Sequence, residues 1–156
     1  MRIYIASSSR SMDAVRALGS VLRDIGHYVY VFCDANEPAF SAASIIKKSS
    51  ISKEFTPQTA VRNPLVENVC GFNMAELRKA DCVLLVLPAG KSAHLEAGFA
   101  KGAGKIVVLY GEMKMGEWDA MYGMLDRIFN INETEQMMDW FKRALEVSRN
   151  ATTSCA

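Results

Sequence analysis

Short β-rich apolar runs alternate along this chain with stretches of helical periodicity, and that alternation leaves few folds open. A strand that is apolar on both sides must be covered on both faces, which a parallel sheet between two helical layers provides. The runs are Arg2 to Ala6, Tyr28 to Cys33, Cys82 to Leu87, Lys105 to Tyr110 and Arg127 to Ile131. Between the first two, Val15, Leu18, Leu22 and Ile25 recur at helical spacing, with Ser11 as N-cap and Gly26 as stop. A second helix starts at the cap Asn63 and Pro64 and carries Val66, Cys70, Leu77 and Ala80 on one stripe. A third begins near Ser92 and ends at Gly102 and Gly104, and the last opens with an Asn132 to Glu135 capping box and buries Met137, Phe141 and Leu145. The expectation is an α/β fold, a three-layer sandwich with a five-stranded parallel sheet of flavodoxin or Rossmann type. One domain over residues 1–150 accounts for it, with a frayed tail at 151–156.

With 156 residues and half of them apolar, the chain can bury one sizeable core. Lys and Arg total 18 against 17 for Asp and Glu, so a nucleic-acid polymer is not an expected partner and any bound anion should be small. The first residues pass into a polar stretch without a long apolar segment, and no apolar run approaches the roughly 18 residues of a membrane span. The protein is therefore expected to be soluble and cytoplasmic, with no membrane partner. Cys33, Cys70, Cys82 and Cys155 show no CxxC spacing, and the first three read as small buried hydrophobes. No His or Cys cluster suggests a metal, and no cofactor is expected. Residues 34 to 62, rich in Ser, Lys and Thr between Pro38 and Pro57, have no period and read as a binding loop or lid.

In a sheet of this kind ligands bind at the carboxyl ends of the strands, where the strand order reverses. The loops after the first and third strands, SSSRS and PAGKS, should meet there. Ser7, Ser8, Ser9 and Arg10 could hold a phosphate at a helix start, or form a polar surface turn. The absence of GxGxxG and Walker A patterns argues against dinucleotides and triphosphates. Glu96 lies four residues after Ser92, so both can share one helical face, and it is either a functional carboxylate or an early-turn residue favoured by the helix dipole. Lys91 and Ser92 are turn and cap, or anion contacts. Asn73 falls on the apolar stripe of its helix, so it is satisfied in the core or faces a cleft. Tyr4 alternates with Ile3 and Ile5 and points to the other face of the first strand, the usual place of a core residue. His27 and His94 have no Ser or Cys partner at a triad spacing.

The segment HLEAGFAKGAGK after the ADCVLLVLP strand resembles the core motif of nucleoside 2-deoxyribosyltransferases and the related 2′-deoxynucleoside 5′-phosphate N-hydrolases, and the resemblance covers most of the chain. It implies Glu96, followed by Gly98, as the nucleophile at the anomeric carbon, and Tyr4 as the residue that orients it. The Ser7 to Arg10 loop stands where the hydrolases hold a 5′-phosphate. The sequence departs from the family pattern at Asn73, where an Asp would assist the departing base, and at Gly90, where the family has an Asp or a Ser; Ser92 is the nearest substitute. The resemblance implies cleavage or transfer of the N-glycosidic bond of a small-molecule nucleoside or nucleotide. The alternative is a non-catalytic nucleotide-binding module on the same fold. A homodimer or larger homo-oligomer is also implied, and the Met-rich segment from Met113 to Met124 offers an apolar surface for it.

Overall fold

The computed structural model describes residues 1–34, 37 and 55–153, with side chains to residue 147. Strands β1 (Arg2–Ala6), β2 (Tyr28–Val31), β3 (Cys82–Val86), β4 (Ile106–Tyr110) and β5 (Arg127–Phe129) form one sheet. Their order is β2-β1-β3-β4-β5, and every pairing is parallel. Helices α1 (Met12–Asp24), α2 (Pro64–Lys79), α3 (Lys91–Gly102) and α4 (Thr134–Thr153) cover its two faces. The five-stranded parallel α/β sandwich expected from the alternation is the one observed.

Period-two alternation along the strands sends side chains into two cores. Ile3, Ile5, Val29, Val31, Leu84 and Val108 meet Val15 and Leu22 of α1 and Met137 and Phe141 of α4. On the other face Tyr4, Ala6, Tyr30, Val83, Leu85 and Leu109 meet Leu77 of α2 and Ala93, Ala97 and Ala100 of α3. These three alanines are the buried residues of α3, and their short side chains let the helix lie close over β1, β3 and β4. Gly19 does the same for α1: a Cβ there would stand 2.7 Å from a Val31 methyl. Gly26 ends the α1 connection at φ 100°, a conformation that favours glycine.

Several boundaries differ from the expected ones, each for a local reason. β2 stops at Val31 because the Asp34 N–H turns back to the Val31 carbonyl at 3.0 Å. β5 stops at Phe129 because Asn130 caps a 3-10 turn over Ile131–Glu133. The capping box is therefore Asn130 with Glu133, whose carboxylate accepts the Asn130 N–H at 2.7 Å, and not Asn132 with Glu135. Ser11 precedes α1 without a side-chain cap; Ser8 caps the 3-10 turn Ser9–Ser11 just before it. Cys33 and Cys82 are buried as expected, but Cys70 is exposed, because that part of α2 borders a cavity. The irregular stretch from 34 to 62 lies mostly outside the described residues, Pro38 included; Pro57 opens a short helical turn capped by Thr56. The backbone of α4 continues to Thr153, and residues 154–156 lie outside the described residues. Among the described residues no helix is long and apolar enough to cross a membrane.

Candidate active site

β1 and β3 are neighbours in the sheet, yet α1 covers one face and α3 the other, so the order reverses between them. The Ser7 hydroxyl just beyond β1 donates to the Val86 carbonyl at the end of β3 at 2.9 Å, which brings the two loops together as expected. That bond gives Ser7 a structural task. The Ser8 hydroxyl likewise accepts from the Arg10 backbone N–H at 3.2 Å and its Nε–H at 3.4 Å. Ser9 and Arg10 are exposed.

On the α2–α3 face a cavity of ≈ 330 Å³ opens between the two helices. Val66, Val69, Cys70, Met74 and Leu95 form its apolar wall, and Asn73, Ser92 and Glu96 are its polar members. Ser92 and Glu96 thus share a helical face, as their spacing predicts. Glu96 is the sixth residue of α3 and lies past its first turn, so a helix-dipole role does not explain it. Ser92 is not a cap either: Gly90 holds that position, and Lys91 and Ser92 are the first two helical residues.

Burial sets the character of Glu96. Desolvation pushes its carboxyl up to about 7, against the lowering pull of the Tyr4 hydroxyl. Tyr4 is 1% exposed, and its Oη lies against the Glu96 carboxyl in a contact that falls short of a formed hydrogen bond, with no other partner among the described residues. Burial first, and then the charges of Glu96 and Tyr30, hold this phenol protonated far above its ordinary range. The pair is a fixed proton donor beneath a carboxyl that changes charge near neutral pH, an arrangement typical of sites that handle protons or nucleophiles.

Tyr30 of β2 extends the group. It stands opposite Tyr4 in the strand register, and the rings stack with centroids 5.2 Å apart at 23°. Its hydroxyl donates to Asn73 Oδ1 at 3.0 Å. Asn73 is therefore turned to the cleft with its amide oxygen engaged. Sequence reading did not single out Tyr30; the signal was the pairing of the first two runs, which sets the second tyrosine of YVY beside the tyrosine of IYI.

Other expected site residues lie apart from this cavity. Gly98 is two positions beyond Glu96, roughly 200° around the helix, and it lines a second cavity of ≈ 380 Å³ with Leu85, Tyr122 and Met124. Gly90 borders a shallow opening with Lys91 and Asp119. The Ser7 to Arg10 loop supplies no lining residue to the Glu96 cavity. His94 spans Gly90 and Tyr122: Nδ1 is 2.9 Å from the Gly90 carbonyl and Nε2 is 3.0 Å from the Tyr122 hydroxyl. Among the described residues no group of His, Cys, Asp and Glu could hold a metal ion.

No protein-family model matches the chain, and no curated protein matches it in sequence. Its structure does have counterparts. It is similar to a 2-deoxyribosyltransferase from the psychrotolerant bacterium Bacillus psychrosaccharolyticus, with a TM-score of 0.57 and 19% identity over 83% of this chain and 85% of that one. It is also similar to the CMP N-glycosidase BcmB of Clostridium botulinum, with a TM-score of 0.52 and 13% identity over 95% and 99% of the two chains. At these identities the likeness establishes a shared fold.

Proposed function

We propose that this protein cleaves or transfers the N-glycosidic bond of a nucleoside or nucleoside 5′-monophosphate, with Glu96 as nucleophile. The observation that carries the reading is the half-buried Glu96 carboxyl over the buried Tyr4 hydroxyl, on the wall of a cavity of ≈ 330 Å³, large enough for such a ligand. The two structural neighbours, a 2-deoxyribosyltransferase and a CMP N-glycosidase, support it. Residues 1–150 would act as one catalytic unit.

In the first step a Glu96 carboxylate oxygen bonds to C1′ as the C1′–N bond breaks, and the bonding electron pair leaves with the base, which takes a proton from water. Tyr4 holds the carboxylate in line. In the second step water, or the nitrogen of another base, attacks C1′ and releases Glu96; the first gives hydrolysis and the second transfer. Asn73 cannot supply a proton, so its part is a hydrogen bond to the departing base. Ser92, one turn before Glu96, would contact the sugar, taking the place left by Gly90. Gly98 would keep its face of α3 open behind the nucleophile. Ser8, Ser9 and Arg10 would reach a 5′-phosphate from the neighbouring loop, with Arg10 turning from Ser8 to the anion. No cofactor enters this scheme.

Incubation with a panel of nucleosides and 5′-monophosphates should release free base. Binding of intact nucleotide with no release at high enzyme concentration would instead favour a sensing module. We also propose a homo-oligomer, because Met115, Trp118 and Met121 are large apolar side chains exposed on one segment. Light scattering at micromolar concentration should show more than one chain per particle, and a monomer would reject it.

A further inference from the structure

Resting on that reading of the cavity, we propose that Tyr30 is a positioning residue: it fixes the amide of Asn73 so that the site selects bases carrying a hydrogen-bond acceptor beside the glycosidic nitrogen. The argument starts from one hydrogen bond. An asparagine amide has an acceptor end and a donor end, and it can present either to a ligand by rotating about its last torsion. Here Tyr30 removes that freedom, because its hydroxyl donates to Oδ1 at 3.0 Å. The Tyr30 phenol keeps its proton: burial raises its pKa, and the carboxylates of Glu37, Glu76 and Glu96 raise it further. A hydroxyl that remains protonated is a donor to an oxygen. The Asn73 Nδ2 group has no hydrogen-bond partner among the described residues, and Asn73 lines the cavity together with Glu96.

The Tyr30 ring is itself held. It is 3% exposed and stacks on Tyr4, whose hydroxyl meets the Glu96 carboxyl. One aromatic pair therefore sets both ends of the site, the carboxylate that attacks C1′ and the amide that faces the base. When the C1′–N bond breaks, its electron pair spreads from the ring nitrogen onto an adjacent acceptor, a pyrimidine carbonyl oxygen or a purine ring nitrogen. A fixed N–H donor at that atom stabilises the developing charge without transferring a proton. This is how a site with Asn instead of an acid can still assist the leaving base.

The test compares 2′-deoxyuridine with its 2-thio analogue, a poorer acceptor, and 2′-deoxyadenosine with its 3-deaza analogue, which lacks the acceptor. Turnover is measured on the wild type and affinity by calorimetry on Glu96→Gln, so that binding is read without cleavage. We expect the parent compound to be favoured over its analogue by about tenfold in at least one pair, the scale of one hydrogen bond to a charged group. Tyr30→Phe keeps the stacked ring and frees the amide, so the ratio should fall to near one, with kcat reduced more than KM rises. Asn73→Asp supplies the control, because its two carboxylate oxygens are equivalent and Tyr30→Phe should then leave the ratio unchanged. A full ratio in Tyr30→Phe, or the same loss in the Asn73→Asp background, would overturn the proposal, since only a structural role persists there. Absence of binding by all four compounds also overturns it. Selective binding without turnover would reject the catalytic reading and leave this assignment of Tyr30 standing.

Discussion

The two faces of the sheet are built from alternate residues of the same strands, and they differ in kind. Toward α1 and α4 the interior is large and mostly aliphatic, with Ile3, Ile5, Leu22, Met137 and Phe141 all at 0–1% exposure. Its buried polar residue, His27, points Nε2 at the Phe141 carbonyl, 3.1 Å away. Toward α2 and α3 the same strands present Tyr4 and Tyr30, and the helix above them offers alanines. Small residues bring α3 down onto the strands, the tyrosines carry hydroxyls upward, and a cavity remains where the helices diverge. One face is organised to hold the sheet and the other to hold polar groups at fixed places. A site needs the second kind, because a carboxyl keeps an altered pKa only where its surroundings cannot relax around it.

If this division is right, changes on the two faces should separate activity from stability. The largest effect is expected at Glu96. Glu96→Gln preserves size and should lower kcat by at least roughly 10³-fold with KM little changed; a variant keeping a tenth of the wild-type rate would end the nucleophile assignment. The attacking form is the carboxylate, so wild-type kcat/KM should fall as pH drops below about 7.

Next comes Phe141 on the opposite face. Phe141→Ala should cost about 3–5 kcal/mol by denaturant unfolding while kcat of the folded fraction stays near normal. An equal loss of activity in the folded fraction would show that the faces are not independent.

Glu96→Gln should also change stability, with a sign that depends on pH. The folded carboxyl titrates near 7 against an ordinary 4.5, so its contribution is complete below about 4.5 and is lost as pH rises through 7. The variant should thus match wild type in acid and be more stable by about 3 kcal/mol at pH 8. Chemical melts at the two pH values decide it, and a gap independent of pH would count against a buried carboxyl. The smallest effect is at the rim: Arg10→Ala should weaken use of 5′-monophosphates by about 1.5–3 kcal/mol and leave nucleosides nearly unaffected. Equal losses for both substrate types would detach the loop from the phosphate.

Much of this was legible in the chain. Apolar runs in Ile3–Ile5, Cys82–Val86 and Ile106–Tyr110, separated by helical periods, determine a parallel sheet between helices, because no other layering buries both strand faces. The Ser92–Glu96 spacing determined a shared helical face. Turn details were harder: Asn130 and Asn132 both precede acidic residues by three, and the choice between them followed from where β5 ran out of partners. The position of Gly98 on the far side of α3 follows from helix geometry and was legible as well, although the family motif groups it with Glu96. What only the tertiary structure decided is the set of neighbours around Glu96. Tyr4, Tyr30, Asn73 and Glu96 come from four separate elements, and periodicity says which way each faces but not which others it meets. The burial that raises Glu96 and the bond that orients Asn73 both arise from that meeting, since desolvation and hydrogen-bond direction belong to an environment and not to a residue type.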